Sequence, residues 1–455
     1  MENYRGELLF DGKVLQYEFD EKVLVVHMYH GEGHDLFWDD GPAGVSYMTG
    51  PKELPCDRLE GTVLPSGEKI VFFVKKTGYG HRSSFDGECM DLSIIVERYY
   101  LKKDTRAEDG STIEIYSKNF HKFLGLLPQY NVHSIWENKI GSINHNSSVI
   151  NQKTEFDFDN LTFSIHPGVT ISWGGSKFKY LPGLLAISSQ TISEDQIWKL
   201  FDLFIDILQF YFMRTNISPD SFKITSAGTV YELNKVNYMI YENEECEKLD
   251  TSTDFGMIPW SIAYKHFRDS FAAFSTGTIY KDFLYEKINF RFATHRDILS
   301  ADSAAFENAF SKLYPDAVVT PPSNQEIFDE IASELDDKIA ISTGKKKDYY
   351  KSLRKQLKHE TLEDKLKYAF NDCKQCFSQL REIVKTELSF TQIAEIFRKA
   401  RNDIDHGNEN VVIDNNTAVS NIYVRALIYS MLLKLQKYTD EDIDAALSYL
   451  FTVKL

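Results

Sequence analysis

The sequence predicts an α+β multidomain protein, in which a β-rich N-terminal domain is followed by an all-α helical bundle. Three observations indicate this organisation. The chain has 455 residues, which favours two or three domains at about 150 residues each. Short runs of alternating apolar and polar residues fill the first part, and helical spacing replaces them from about residue 265 onward. We therefore predict a division into residues 1–265 and residues 266–455.

The N-terminal domain is predicted to consist mainly of strands. Apolar and polar residues alternate in segments separated by Gly, Asn or Asp, a pattern typical of strands joined by tight turns. These segments lie at 6–30, 69–76, 92–103, 111–118, 155–166, 168–173, 222–225 and 229–241. One further segment, 193–212, has apolar residues at helical spacing, with Ser193 as its candidate N-cap. We expect a sandwich- or barrel-like sheet with this long helix packed on it.

The C-terminal domain is predicted to be entirely helical. Three prolines between 315 and 322 mark a break in it. The main helices that follow this break are predicted at 324–340, 361–384, 389–405 and 417–438. The apolar segment 422–435 contains Arg425 and Lys434 and is too short and too charged to span a bilayer.

The expected compartment is the cytoplasm. No charged and apolar leader opens the chain, and the five cysteines are an odd, sparse set that fits a reducing environment. The chain is long enough to bury a large core without disulfide or metal crosslinks. We expect no membrane partner.

The charge distribution argues against a protein that coats nucleic acid non-specifically, because the net charge is −16. One segment, 345–359, is strongly basic, because Asp348 is its single acidic residue. Tyr349 and Tyr350 interleave with them, which suits phosphate contact combined with base stacking. The alternative to RNA binding is that this segment is only the solvated face of a helix. The predicted RNA-binding cations are Lys345, Lys346, Lys347, Lys351, Arg354, Lys355 and Lys358.

Three other motifs give no metal or nucleotide site. His27, His30 and His34 lie close together, but no Glu or Cys completes a metal-ligand spacing, and a polar strand end is favoured. The CKQC motif at 373–376 has no second pair, and two small apolar residues on a helix are favoured. The STGKK motif at 342–346 lacks the upstream glycine of a phosphate loop. We therefore expect no metal and no cofactor.

The segment RKARNDIDHG, at 398–407, carries the strongest candidate chemistry. RNA can be cleaved without a metal, because the 2′-OH beside the scissile phosphate is the nucleophile. His406 can move protons near neutral pH, and the fixed charge of Arg401 can stabilise a phosphorane. Asn402 can orient either group. Five helical positions turn by about 140°. The two side chains therefore converge only where the helix ends near Gly407, or where a second subunit completes the site.

The same spacing occurs at Arg354 and His359, and the context separates the two matches. Arg401 and His406 end an amphipathic helix, and a long apolar helix follows after a short polar loop. This pattern resembles the HEPN family, whose ribonucleases carry an arginine, often followed by asparagine, and a histidine after four to six residues. Arg354 is followed by Lys355 and lies earlier in the bundle, so it does not match.

The order of a β-rich half and a helical half is similar to that of ApeA-type phage-defence proteins. The resemblance implies a homodimer through the HEPN domain, with the two motifs facing each other. It implies RNA cleavage by 2′-OH attack, leaving a 2′,3′-cyclic phosphate, with tRNA among the expected substrates. It also implies that this endoribonuclease acts in abortive infection, with the N-terminal domain sensing a phage-derived trigger. The alternative is a non-catalytic interaction module, in which Arg401 and His406 are buried polar groups at a helix end.

Overall fold

The computed structural model describes residues 3–29, 47–48, 51–82, 89–105, 110–117, 120–126, 149, 151–174, 177–215, 217, 219–235, 256–285, 292–317, 319, 322–356, 361–405 and 413–452. The chain divides into two compact units. Met1–Ile205 and Ile217–Asp250 form the first, here called the β unit. Asp206–Asn216 and Thr251–Leu455 form the second, here called the helical unit. The α+β multidomain class predicted from the sequence is confirmed at this level.

The β unit contains one antiparallel sheet system. Its strands are β1 Tyr4–Phe10, β2 Lys13–Phe19, β3 Val23–Tyr29, β4 Tyr47–Met48, β5 Lys52–Glu53, β6 Arg58–Val63, β7 Lys69–Arg82, β8 Cys89–Asp104, β9 Ser111–Tyr116, β10 Thr154–Phe158, β11 Leu161–Gly174, β12 Lys177–Ser188, β13 Ser221–Ser226 and β14 Thr229–Lys235. Among the described residues, two helices accompany them, α1 Phe120–Phe123 and α2 Glu194–Tyr211.

Six of these strands close into a barrel. The pairings run β8–β3–β2–β1–β6–β7, and β7 pairs back onto β8. Closure leaves no open edge among the six strands. Residues of each strand alternate between the interior and the surface, so that Leu8 and Phe10 of β1 are buried together with Leu15 and Tyr17 of β2.

The hairpin between β1 and β2 shows how local sequence sets the register. Asp11 and Gly12 form its two-residue turn, with φ values of 45° and 78°. Both values lie in the left-handed region, which an Asp-Gly pair adopts more easily than most sequences. Phe10 consequently pairs with Lys13, and the apolar faces of both strands point inward.

The remaining strands extend from β8 in the order β14, β13, β9, β12, β11 and β10. Helix α2 packs on this sheet through its aromatic residues. The ring of Phe201 lies 4.8 Å from that of Phe222, and the ring of Phe204 lies 5.6 Å from that of Phe156. A long helix packed on the sheet is therefore found where the sequence predicts it.

The helical unit contains the last turns of α2 and ten further α-helices among the residues that the structure describes. They are α3 Trp260–Ala263, α4 Phe267–Ser275, α5 Arg296–Leu313, α6 Pro322–Ile341, α7 Gly344–Gln356, α8 Leu362–Asp372, α9 Ser378–Ile383, α10 Phe390–Asp405, α11 Asn415–Leu435 and α12 Asp440–Phe451. A 3₁₀ turn, Lys374–Phe377, separates α8 from α9.

Helix α11 forms the core of this unit. It is apolar on all sides, which is typical of a helix surrounded by others. By length and composition it is also the one described helix that could cross a membrane, but most of its apolar window, 72%, is buried within the protein. Arg425 at its centre is fully buried and pairs with Asp302 of α5.

The prediction of one continuous helix over 361–384 is wrong, because the chain breaks at Cys373. The break is stabilised by α12. The carboxylate of Asp444 accepts a hydrogen bond from the backbone N–H of Gln379 at 3.0 Å, which satisfies a donor left free at the start of α9. Cys376 donates to Asp440 at 3.4 Å. These contacts are tertiary, so helical spacing in the sequence does not reveal them.

Candidate functional site

The candidate site lies on α10, whose sequence explains both its start and its buried face. The side chain of Ser389 accepts a hydrogen bond from the backbone N–H of Gln392 at 3.3 Å. In return, the backbone N–H of Ser389 donates to Gln392 Oε1 at 2.9 Å. This reciprocal pair is a capping box, which fixes the N-terminus of the helix. The helix buries a stripe at helical spacing, formed by Ile393, Ala394, Phe397 and Ala400.

Two of the three predicted catalytic residues lie together in the last turn of α10. Arg401 and Asn402 are both half-buried, and Arg401 Nη1 donates to Asn402 Oδ1 at 3.4 Å. The amide therefore helps to orient the guanidinium. His406, the third predicted residue, lies outside the described residues, as does Gly407. The last described residue of the helix is Asp405.

One turn before Arg401, an ion-pair network connects α10 to α8. Arg398 Nε lies 2.7 Å from Glu363 Oε2, and Lys367 Nζ lies 2.5 Å from Glu363 Oε1. The hydrogen bond from Lys367 is the main cause that holds the pKa of the Glu363 carboxyl below its ordinary value. The carboxylate thus binds two cations and fixes α10 against α8.

Glu363 and Arg398 were not predicted from the sequence as site residues. The Glu363–Lys367 pair has the i,i+4 spacing that favours an ion pair on a helix, so half of the network could have been found. The contact to Arg398 lies 35 residues away along the chain and carries no local signal.

The core helix α11 begins after the candidate motif with a well-formed cap. Asp414 Oδ1 accepts hydrogen bonds from the backbone N–H and from the hydroxyl of Thr417, both at 2.8 Å. The backbone hydrogen bond from Thr417 lowers the pKa of the Asp414 carboxyl. The chain therefore enters α11 at a defined position, because the N-cap Asp414 lies eight residues after His406 in the sequence.

The predicted RNA-binding cations lie on α7, which packs on α6 as a helical hairpin. Lys345, Lys346 and Lys351 are exposed, and Lys347 is half-buried. Arg354 is engaged by a carboxylate, since its Nε lies 3.1 Å from Asp336 Oδ1 of α6. The side chain of Lys355 and all of Lys358 and His359 lie outside the described part of the chain.

The tyrosines on α7 differ in exposure. The side chain of Tyr349 is 64% exposed, which leaves its ring accessible to a stacking partner. Tyr350 is half-buried, and Lys346 Nζ lies 6.0 Å from its ring centroid. A surface with exposed lysines and one exposed aromatic ring can contact both the phosphates and the bases of a single strand.

Cys373 and Cys376 are buried free thiols at the junction between α8 and α9. Cys373 follows the end of α8 and Cys376 lies in the 3₁₀ turn, so the pair does not lie on one continuous α-helix as predicted. The hydrogen bond between the two thiols lowers the pKa of Cys373 and raises that of Cys376. Within the described residues, no group of three or more His, Cys, Asp or Glu side chains could hold a metal ion.

The histidine cluster of the β unit is described only in part. His27 Nδ1 lies 2.8 Å from Asp91 Oδ1, and the two residues face each other across β3 and β8. His30 and His34 lie outside the described residues. His27 is therefore paired with a carboxylate on a neighbouring strand.

Comparisons of the chain with family models, with curated proteins and with solved structures find no match.

Proposed function

We propose that the protein is a metal-independent endoribonuclease of HEPN type. Arg401 stabilises the phosphorane, His406 is the general acid or base, and Asn402 orients the arginine. One observation carries the proposal. Arg401 and Asn402 lie in contact in the last turn of α10, and the core helix α11 begins after a short segment. This is the order of elements that the resemblance to the HEPN family requires.

The chemistry needs no cofactor. The 2′-oxygen forms a bond to phosphorus, its proton passes to a base, and the bond from phosphorus to the 5′-oxygen breaks. The leaving oxygen takes a proton, so the products are a 2′,3′-cyclic phosphate and a 5′-hydroxyl end. The guanidinium of Arg401 is planar and permanently charged, which suits two phosphorane oxygens. In a homodimer through the helical unit, each subunit contributes one His406.

The proposed biological role is phage defence by abortive infection in the cytoplasm. RNA, including tRNA, is the substrate, and the β unit responds to a phage-derived trigger. The exposed lysines of α7 guide the RNA backbone. The exposure of Lys345, Lys346 and Lys351 on one short helix supports this step. The net charge of −16 disfavours non-specific binding of RNA over the whole surface, so RNA contact is expected at local basic sites.

The test is incubation of purified wild type and His406→Ala with total bacterial RNA in EDTA, followed by end-group analysis. We expect discrete fragments with 2′,3′-cyclic phosphate ends from the wild type alone. The variant should melt at the same temperature as the wild type, which separates lost chemistry from lost folding. Absence of cleavage even in extract from phage-infected cells, with His406→Ala still protective in cells, contradicts the proposal.

The surface of α6 favours a second candidate function, a non-catalytic interaction module. Ile327 and Ile331 lie one turn apart and are 56% and 39% exposed, and Ile341 is 84% exposed. Exposed apolar residues at this spacing on one helix suit contact with a partner helix. Under this alternative, replacing Ile327 and Ile331 by Glu changes the assembly state, and replacing Arg401 or His406 changes stability without removing any cleavage.

A further inference from the structure

A cleft in the helical unit has no role in the function proposed above. It has a volume of about 650 Å³ and opens between α8, α9 and the first turn of α10. Three cations line it, Lys367, Lys374 and Arg381, against one carboxylate, Glu387. Its other lining groups are mainly uncharged hydrogen-bonding side chains and the ring of Phe390. A cleft with this surplus of cations favours an anionic ligand.

Two of the three cations are available to a ligand. Lys367 is bound to Glu363. Lys374 and Arg381 are both exposed, and neither forms an ion pair with another residue in the described parts of the chain. An ion pair would have to be broken before a phosphate could bind, so its absence lowers the cost of binding at these two positions.

The guanidinium of Arg381 is held in place by an aromatic ring. Its central carbon lies 4.3 Å from the centroid of Phe390. Phe390 in turn is stacked on Phe370, with centroids 4.8 Å apart and ring planes inclined by 10°. The ring covers one face of the guanidinium and leaves the N–H donors at its edge accessible to phosphate oxygens. Because the ring fixes the side chain beforehand, less entropy is lost on binding.

The cleft is connected to the candidate catalytic residues through one helix. Thr391 lines the cleft, and Arg401 follows ten residues later on α10, which corresponds to about 15 Å along the axis. Arg398 lies between them and, with Lys367, shares the single carboxylate of Glu363. Cations therefore recur along the path from the cleft to Arg401.

We propose that this cleft binds phosphodiester groups of the RNA strand a few nucleotides away from the scissile bond, with Lys374 and Arg381 as the phosphate-binding residues. The inference rests on the proposed ribonuclease function, and it deepens that function by placing the strand along α10. It also limits the substrate, because a flexible single strand can follow a path from Arg401 into the cleft more easily than a rigid duplex.

The test measures binding separately from cleavage. The full-length protein is titrated into a fluorescein-labelled 2′-O-methyl oligouridylate, which cannot be cleaved because its 2′-oxygen is blocked. Fluorescence anisotropy gives the affinity at several salt concentrations. The cleft variant is Lys374→Gln/Arg381→Gln. The matched control is Lys22→Gln/Lys153→Gln, which removes the same charge from two exposed lysines of the β unit.

We expect the cleft variant to bind about tenfold more weakly and to lower the slope of log affinity against log salt by about 1.4, the value for two lost phosphate contacts. The control should keep the wild-type affinity and slope. The inference is overturned if the wild type and the cleft variant bind the oligomer with equal affinity. Binding of uridine monophosphate to the cleft would not rescue it, because the proposed ligand is an RNA strand. Failure of the wild type to bind the oligomer also overturns it.

Cleavage assays on the same variants distinguish this inference from the proposed function. If the wild type binds through the cleft but cleaves no RNA with or without phage extract, the ribonuclease proposal is wrong and the binding site stands. If the wild type cleaves RNA and the cleft variant keeps its kcat/KM and its affinity, the ribonuclease proposal stands and the cleft inference is wrong.

Discussion

Arg425 and Asp302 form an ion pair at the centre of the helical unit, with Arg425 Nε 2.7 Å from Asp302 Oδ2 and both side chains fully buried. The pair is well satisfied. Tyr285 donates to Asp302 Oδ1 at 2.9 Å, and Arg425 Nη2 donates to the carbonyl oxygen of Ala293 at 2.8 Å. Burial raises the pKa of the Asp302 carboxyl, and Arg425 opposes that rise. The charged form of Asp302 therefore depends on the neighbouring guanidinium of Arg425.

Replacing Arg425 by Met should lower the free energy of unfolding by about 3–5 kcal/mol, because it leaves Asp302 buried without a countercharge. Urea denaturation followed by circular dichroism measures the change. The double variant Arg425→Met/Asp302→Leu removes both charges and should recover part of the loss. A double variant that is less stable than Arg425→Met would show that the penalty comes from packing rather than from an unpaired charge.

The same pair shows what the sequence could and could not predict. Helix α11 was predictable because its apolar run is long and local. The charge within that run was visible as Arg425, but its partner lies 123 residues away, and nothing in the spacing points to Asp302. Pairings between distant segments are decided by tertiary packing, so sequence periodicity finds elements more readily than contacts.

The β unit gives a parallel example. The Asp11–Gly12 turn and the alternation around it predict the first hairpin, because both are local signals. Closure of the barrel depends on β7 pairing with β8, which is not encoded in alternation, so the sequence left sandwich and barrel open. At the candidate site, Arg401 and Asn402 were found from a motif. Lys374 lies within the CKQC segment, which was considered only for its cysteines, and Arg381 belongs to no motif.

Arg401→Ala should reduce kcat for RNA cleavage by about 10²–10³, which is typical of removing one donor that stabilises charge in the transition state. Arg354→Ala is the comparison variant, because Arg354 has the same spacing to a histidine as Arg401 but is paired with Asp336. As a predicted RNA-binding residue it should affect KM rather than kcat, and the unfolding free energy should change by less than about 1 kcal/mol, as for an exposed ion pair. Loss of cleavage in Arg354→Ala, with cleavage kept in Arg401→Ala, would show that the wrong pair was assigned.

Asp414→Ala should lower the unfolding free energy by about 1 kcal/mol near pH 7, because it removes the N-cap of α11. The cap is also pH-dependent. Since the folded-state pKa of Asp414 is lowered, its ionised form stabilises the protein above the unfolded pKa of about 3.9. That contribution is lost as the pH falls through the folded-state pKa.

Asp414→Asn is the control for charge, since its amide oxygen can still accept from Thr417 but does not titrate. Thermal unfolding of the three proteins between neutral and acidic pH measures the effect. The stability difference between wild type and Asp414→Asn should shrink as the pH falls below about 3.9. A difference that stays constant over this range would mean that the carboxylate charge does not stabilise the cap.

Cys373 and Cys376 should neither hold a metal nor react while the protein is folded. Both thiols are buried, which keeps a reagent from reaching them. Their mutual hydrogen bond raises the pKa of Cys376 and lowers that of Cys373, so burial, not the pKa, protects Cys373. A variant carrying Cys56→Ser, Cys89→Ser and Cys246→Ser leaves only this pair for a thiol reagent such as Ellman's. We expect reaction to follow urea unfolding, and the melting temperature to stay the same with zinc or with EDTA. Fast reaction of the folded variant would contradict the burial of the pair, and a rise in melting temperature with zinc would show that further ligands complete a metal site.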